Sequence, residues 1–296
     1  MVKNIKKRAH HLWGTVVRFW NWRQKPESSK LGISESVSQR FSIESLPEND
    51  IIKLAQIDFP ATGLSSRQRR VYNKRFIGCV FSHRTIESFT FNGCSFEGCT
   101  FNGASIIEVE FHKCAFSECY FYKTKFSSTY LDPRTLSFSD DWHWDRANVN
   151  TWLFQALYRN SKDMHQEEFA MHADIRFQFY MRYQYLRAKN PSLRKFTSNL
   201  IYGFLLGYGY GIKNALLATL AIIFTFAYLI DGRMGKDGAS FLEALYFSVV
   251  SFTTVGYGDL APLHELLPLF ITGTFLLISV GWCAVVTAII VKRIVK

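Results

Sequence analysis

Thr254-Val255-Gly256-Tyr257-Gly258-Asp259 lies between two apolar segments near the end of this 296-residue chain, and Thr253 precedes it. Gly256 and Gly258 lack a Cβ, so they can adopt the φ values that turn successive carbonyls to the same side. Thr254 adds a hydroxyl oxygen at the inner end of that series. The stretch therefore predicts a row of oxygen atoms that all face inward.

Val255 and Tyr257 alternate with the glycines and are expected to point away from this row, into packing that holds the loop open. The stretch is similar, residue for residue, to the signature of the potassium channel family, and its surroundings resemble that family's two-transmembrane pore module. A glycine-rich turn that spells these letters by chance is the alternative. The resemblance covers about the last ninety residues. It implies K+ as the only metal ion, bound by the filter residues Thr254, Val255, Gly256 and Tyr257, with Thr253, Gly258 and Asp259 as filter support and outer mouth.

The segments around the loop have lengths that suit a bilayer. Residues 213–230 form the first predicted span, near the minimum of about 17 residues, and residues 266–291 form a second, uncharged span. At about 1.5 Å per residue the second span reaches ~39 Å, so it should tilt in a hydrocarbon core of ~30 Å. The capping box Ser240-Phe241-Leu242-Glu243 predicts a pore helix over 240–252, which leads to the filter at 253–259.

The second span contains two glycines, Gly273 and Gly281, that are candidate gating hinges. Gly281 lies nearer the hinge region usual in the family, and either glycine can instead permit close packing of helices. Basic residues flank the spans, among them Lys213, Lys292 and Arg293. Their distribution predicts a multi-pass protein of the cell (inner) membrane with both termini in the cytoplasm.

Residues 71–133 repeat with a period of five, which neither a helix nor a flat strand has. Two positions before most of the central residues lies a small or modest residue, often cysteine. This pattern is similar to the pentapeptide-repeat family, whose fold is a right-handed quadrilateral β-helix. Four pentapeptides make one coil, so residues twenty apart should stack and twelve pentapeptides should give three coils. The twelve central residues are Phe76, Phe81, Ile86, Phe91, Phe96, Phe101, Ile106, Phe111, Phe116, Phe121, Phe126 and Leu131.

All six cysteines of the chain, five of them in this repeat, are interpreted as reduced, small apolar side chains. A cysteine-ligated metal is the alternative, but C-x4-C pairs on separate faces do not converge as C-x2-C pairs do. Arg84 and Phe89 break the small-residue position and predict an irregular early coil. Some pentapeptide-repeat proteins imitate DNA, which requires an acidic rod. Residues 72–131 hold 6 Lys or Arg against 5 Asp or Glu, which excludes that function.

The other segments link these two parts. Residues 1–70 are predicted to be a basic amphipathic region on anionic lipid followed by a linker, with a disordered basic arm as the alternative for 1–9. Helical spacing over 134–191 predicts a cytoplasmic helical hairpin that turns near 160–163. Residues 192–212 are predicted to be an interfacial helix and a flexible joint. The net charge of +11 is attributed to contact with a membrane surface.

The sequence thus predicts a mixed membrane protein in three parts: a pentapeptide-repeat β-helix, a helical hairpin linker and a tetrameric two-helix pore module. The resemblance implies a homotetrameric, potassium-selective channel, with the repeat domain serving assembly or gating. A weakly selective cation channel and a membrane-anchored interaction scaffold are the alternatives. Expected partners are further copies of the chain, the lipid bilayer and an unidentified cytoplasmic ligand. No enzymatic activity, cofactor or nucleic acid is expected.

Overall fold

The computed structural model describes residues 39–46, 50–60, 69–187, 191–235 and 240–294. These residues belong to two compact units, 1–197 and 198–296. The amphipathic N-terminal segment predicted within residues 1–38 lies outside the described residues.

The described part of the first unit contains short strands that pair only in parallel. From β4 onward, paired strands in a column are twenty residues apart, so Phe96 pairs with Phe76 on one side and with Phe116 on the other. The columns form a β-solenoid of about four turns, which confirms the predicted β-helix. The strands are β1 Gln39–Ser42, β2 Ile51–Lys53, β3 Ala55–Asp58, β4 Arg70–Tyr72, β5 Arg75–Ile77, β6 Thr85–Glu87, β7 Thr90–Asn92, β8 Ser95–Glu97, β9 Ser105–Ile107, β10 Glu110–His112, β11 Ala115–Ser117, β12 Lys125–Ser127 and β13 Leu136–Ser137.

The period of five follows from the corners between strands. Every fifth residue from Asn73 to Ser128 has a positive φ, so each run of three strand residues is followed by a left-handed turn. Glycine is the least strained residue there. Four of these corners use it, and the others carry asparagine, histidine, serine, glutamate or lysine. The corner residues are Asn73, Gly78, His83, Ser88, Gly93, Gly98, Gly103, Glu108, Lys113, Glu118, Lys123 and Ser128.

The interior of the solenoid is built from stacked phenylalanines. The rings of Phe76 and Phe96 lie 5.0 Å apart with 8° between their planes, and Phe101 and Phe121 lie 4.6 Å apart at 5°. Such ring pairs add about 0.5–1.5 kcal/mol each beyond the apolar area that they bury. Eleven of the twelve predicted central residues are buried, and Phe126 is partly buried. The predicted inward column is therefore confirmed.

The small-residue column has a second role that its spacing alone did not indicate. Its thiols and hydroxyls donate hydrogen bonds to carbonyls of the coil below. The Sγ of Cys99 lies 3.3 Å from the Phe76 carbonyl, and the Sγ of Cys119 lies 3.2 Å from the Phe96 carbonyl. The Oγ1 of Thr124 lies 2.7 Å from the corresponding carbonyl of Phe101. Cysteine and threonine thus fit a narrow interior and also link successive coils.

These buried thiols should be chemically silent in the folded protein. All six cysteines are free, and the five in the solenoid are buried. Burial raises the pKa of the Cys99 thiol, and its contact with Cys119 raises it further. Because the thiolate is the reactive form, a thiol-specific reagent at mildly alkaline pH should label at most Cys283 in the native protein and all six after unfolding. Mass spectrometry of the labelled chain measures this, and rapid native labelling of Cys99 would contradict the fold.

The solenoid begins earlier than the predicted boundary at residue 71. Strand β2 pairs with β5, so Ile52 is buried directly below Phe76. The separation from Ile52 to Phe76 is 24 residues instead of 20, because the loop between β3 and β4 is longer than a corner. This longer loop interrupts the period of five. The sequence analysis therefore counted three coils where the structure has about four turns.

The irregular coil expected at Arg84 and Phe89 keeps its register. Ile86 pairs with Ile106 as elsewhere in the ladder, so only the side chains differ. The Nη2 of Arg84 lies 2.7 Å from the Oδ1 of Asp58 in an ion pair. Phe89 is buried edge-to-face against Phe59, with their ring centres 5.1 Å apart. Residues at the start of the solenoid therefore accommodate both large side chains.

Three helices close the last coil: α1 Trp142–Asp145, α2 Ala147–Asp163 and α3 Glu167–Arg187. Helices α2 and α3 pack as a hairpin, as the spacing predicted. Phe154 joins the same apolar cluster as the solenoid rings. The side chain of Asn160 accepts a hydrogen bond from the Thr129 amide at 3.0 Å and donates one to the Thr129 carbonyl at 2.7 Å. The Asn160 side chain thus binds the backbone N–H and C=O of Thr129, which would otherwise pair with a further coil.

The remaining helices are α4 Leu193–Leu206, α5 Ile212–Ile230, α6 Phe241–Phe252 and α7 Leu266–Ile294. Two of them, α5 and α7, are long and apolar enough to cross a membrane, in agreement with the predicted spans. The two pack through a stack of Phe226 on Phe275, whose ring centres are 3.7 Å apart. The second unit is therefore a pair of long apolar helices with the shorter α6 packed against them.

The joint between α4 and α5 is a packed corner, where the glycine-rich sequence had suggested flexibility. Tyr208 is buried and has a φ of 58°, which is unusual for a residue other than glycine. Its ring closely approaches Gly203, where a Cβ would come within 2.6 Å of the ring. Gly203 therefore leaves room for the Tyr208 ring, and the flexibility of the joint stays a prediction.

Candidate ion pathway

The helix before the predicted filter loop starts where the capping box predicts. Ser240 is the N-cap of α6, and its amide donates to the Oε2 of Glu243 at 2.7 Å. The helix ends at Phe252, and Thr253 is its C-cap. Because helix carbonyls are unpaired at the C-terminus, that end of α6 carries partial negative charge, which attracts a cation.

The filter loop begins by turning its amides back to α6. The Thr254 amide donates to the Ser251 carbonyl at 3.2 Å, and the Val255 amide donates to the Val250 carbonyl at 3.1 Å. With these N–H groups bound to the helix, the carbonyl oxygens at the start of the loop are the polar groups left for another partner. The arrangement fits the row of oxygens that the sequence predicts.

Residues with a left-handed backbone alternate with other residues along the loop. Thr254, Gly256 and Gly258 have φ values of 59°, 59° and 77°, whereas Val255 and Tyr257 between them are not left-handed. Peptide groups of alternating hand point to one side of the chain instead of to opposite sides. The sequence analysis anticipated this freedom for the two glycines and missed Thr254. A left-handed threonine costs about 1–3 kcal/mol, which the surrounding structure must offset.

The side chains of the loop are not enclosed by their own chain. Val255 is 53% exposed and Tyr257 is 70% exposed, although the sequence analysis expected both to point into packing. Residues 253–259 are all exposed in the single chain. Their packing partners are therefore not provided by the described part of this chain.

The outer end of the loop is held by two contacts. The Tyr246 hydroxyl on α6 lies close to the Asp259 carboxylate. Beyond Asp259, the Leu263 amide donates to the Arg233 carbonyl at 2.9 Å. The sequence did not reveal this contact between α6 and the end of the loop.

The two hinge candidates lie in an uninterrupted helix. A Cβ at Gly273 or at Gly281 would meet nothing within 4 Å in the chain, so close packing within the chain does not require either glycine. Their role as hinges stays a prediction. Next to Gly281, the Nε1 of Trp282 donates to the Oγ1 of Thr219 at 2.7 Å and joins α7 to α5. The sequence analysis did not single out Trp282, because a lone tryptophan in an apolar run has no distinguishing pattern.

Comparison with known proteins adds family evidence to this geometry. Residues 215–296 match a family described as "Ion channel". The C-terminal segment is an ion channel domain. The chain is 38% identical over 86 residues to Probable potassium channel protein 2 of Methanocaldococcus jannaschii, a match that covers 28% of this chain and 24% of that protein. It is also 45% identical over 38 residues to Two-pore potassium channel 4 of Arabidopsis thaliana, which covers 13% of each.

The two matches therefore span a quarter or less of these relatives. The family match and two helices long and apolar enough to cross a membrane together indicate a membrane protein. Its β-solenoid, consistent with pentapeptide repeats, precedes the channel domain in the sequence. The family match also favours ion transport over catalysis.

Proposed function

We propose that this chain is one subunit of a homotetrameric, potassium-selective channel. The observation that most supports this proposal is the geometry of the loop after α6. Its first amides donate hydrogen bonds to the helix, and left-handed residues alternate with others along its backbone. Four such loops around one axis would surround a dehydrated ion with main-chain oxygens. The exposure of Val255 and Tyr257 supports this arrangement, because neighbouring subunits would supply the missing packing.

Each residue of the loop has a proposed role. Thr254, Val255, Gly256 and Tyr257 bind K+, and Thr253 anchors the loop through its hydroxyl, which donates to the Val249 carbonyl at 2.9 Å. Gly258 and Asp259 shape the outer mouth, and no other cofactor is needed for conduction. Helix α7 lines the pore, with Gly273 and Gly281 as the candidate hinges.

We propose the cell (inner) membrane as the location, with both chain termini in the cytoplasm. The support is the basic flank of each span, since positively charged residues favour the cytoplasmic side. Helix α4 would lie at the membrane surface, because Ile201 and Phe204 on it are exposed apolar residues. This placement agrees with an interfacial helix over 192–212.

Potassium flux into liposomes tests the proposal. The purified full-length protein should be a tetramer and should carry flux driven by a potassium gradient, with a reversal potential that follows potassium in mixed potassium and sodium. A reversal potential between those of the two ions would favour the weakly selective cation channel. A tetramer without flux would favour the membrane-anchored scaffold. A monomer in the bilayer would end the channel proposal, since one loop cannot enclose an ion.

The first unit has a proposed role in assembly or gating, with a cytoplasmic ligand or partner as a possible input. Its support is its position in the chain, directly before α4 and the channel domain. Deletion of residues 1–190 should lower either the yield of tetramer or the open probability of single channels. If both quantities are unchanged, the solenoid has neither role.

A further inference from the structure

The filter-distal end of α7 contacts the corner that joins α4 to α5. The ammonium of Lys292 lies 3.8 Å from the centre of the Tyr210 ring. It also borders Gly209, where a Cβ would lie 3.6 Å from the Lys292 Nζ. Because α7 runs unbroken from Leu266 to Ile294, this contact connects the far end of that helix to the segment that enters α5.

Hydrogen bonds hold the α4–α5 corner that Lys292 contacts. The Tyr210 amide donates to the Gly207 carbonyl at 3.1 Å, and the Gly211 amide donates to the Leu206 carbonyl at 3.0 Å. The side chain of Asn214 on α5 donates to the Phe204 carbonyl on α4 at 2.8 Å. The backbone that carries Tyr210 is thus held by hydrogen bonds at the corner, and the Tyr210 ring presents its face to a charge on α7.

We infer that Lys292 and Tyr210 form a latch that couples the filter-distal end of α7 to the α4–α5 corner and biases channel opening. The inference rests on the proposed function, in which α7 lines the pore. Movement of that end of α7 away from the corner must break the ammonium–ring contact. An exposed cation–π contact changes an equilibrium by about two- to fivefold, so the latch tunes the gate without locking it.

Single-channel recording of the full-length protein in bilayers tests the latch. Lys292→Gln and Tyr210→Leu should each change the ratio of open to closed time by about two- to fivefold in the same direction. The double variant should add nothing further, because either change alone removes the contact. The variant Tyr210→Phe keeps the aromatic ring, and Lys292→Arg keeps the positive charge. Both should therefore behave as the unchanged protein. Lys213→Gln is the matched control, since it removes one exposed lysine at the start of α5.

Additive effects of the two changes, or an equal effect of Lys213→Gln, would overturn the latch. Reversal potentials should not move in any of these variants, which separates the latch from potassium selection in the filter. Hydrogen exchange provides a readout that does not depend on conduction. Both latch variants should speed exchange at the Tyr210 and Gly211 amides, and unchanged exchange would overturn the latch even if the channel conducts.

Discussion

Gly256→Asp is expected to abolish potassium flux while leaving the protein folded. Gly256 has a φ of 59°, where a side chain adds strain of about 1–2 kcal/mol in every subunit. A Cβ there would meet nothing within its own chain, so the fold of one subunit can accept the change. In the proposed pore, however, four carboxylates would enter the region where oxygens replace the water of the ion. The measurement is potassium flux in liposomes of the variant.

Gly232→Asp is the matched control for this experiment. Gly232 has a φ of 68°, and a Cβ there also meets nothing within 4 Å, so backbone strain and added charge are the same. It lies in the turn after α5, outside the filter loop. Flux should persist in this variant. If Gly256→Asp conducts as well as Gly232→Asp does, residues 254–257 do not form the ion pathway.

Asn160→Ala should destabilise the last coil of the solenoid by about 2–6 kcal/mol. The change leaves both the amide and the carbonyl of Thr129 without the partners that they have now, and each buried orphan costs about 1–3 kcal/mol. Asn160 is 3% exposed, so water cannot easily replace its side chain. Hydrogen exchange of the last coil in the full-length protein measures the free energy of local opening.

Arg159→Ala is the control, because Arg159 is the neighbouring residue on α2 and is exposed. Its substitution should change local opening by less than about 0.5 kcal/mol. Should Asn160→Ala and Arg159→Ala open the coil equally, the side-chain amide does not cap the solenoid.

Those parts of the fold that follow a regular pattern could be predicted from the sequence. A period of five specifies an inward residue at each step, so the stacking of Phe76, Phe96 and Phe116 followed directly. The lengths of the two apolar segments similarly gave α5 and α7. In both cases burial of apolar side chains determines the structure, and such burial is visible as spacing along the chain.

The features that the sequence did not predict depend on contacts that leave no regular spacing along the chain. Ile52 belongs to the solenoid, but the longer loop before β4 removes it from the period. Thr254 takes a left-handed conformation that its side chain disfavours, because the first amides of the loop bind the end of α6. Lys292 appeared in the sequence as a flanking charge, and its contact with Tyr210 depends on how α4, α5 and α7 pack. Tertiary geometry decides all three.

The length of the solenoid increases by a fixed amount with each stacked coil. Successive coils contact one another through parallel strands, aligned rings and the donors of the small-residue column. One coil occupies a single strand spacing of about 4.8 Å. Insertion or removal of one twenty-residue coil would therefore move β2 and the capping hairpin apart or together by that step. The number of coils therefore sets the distance between the two ends of the solenoid.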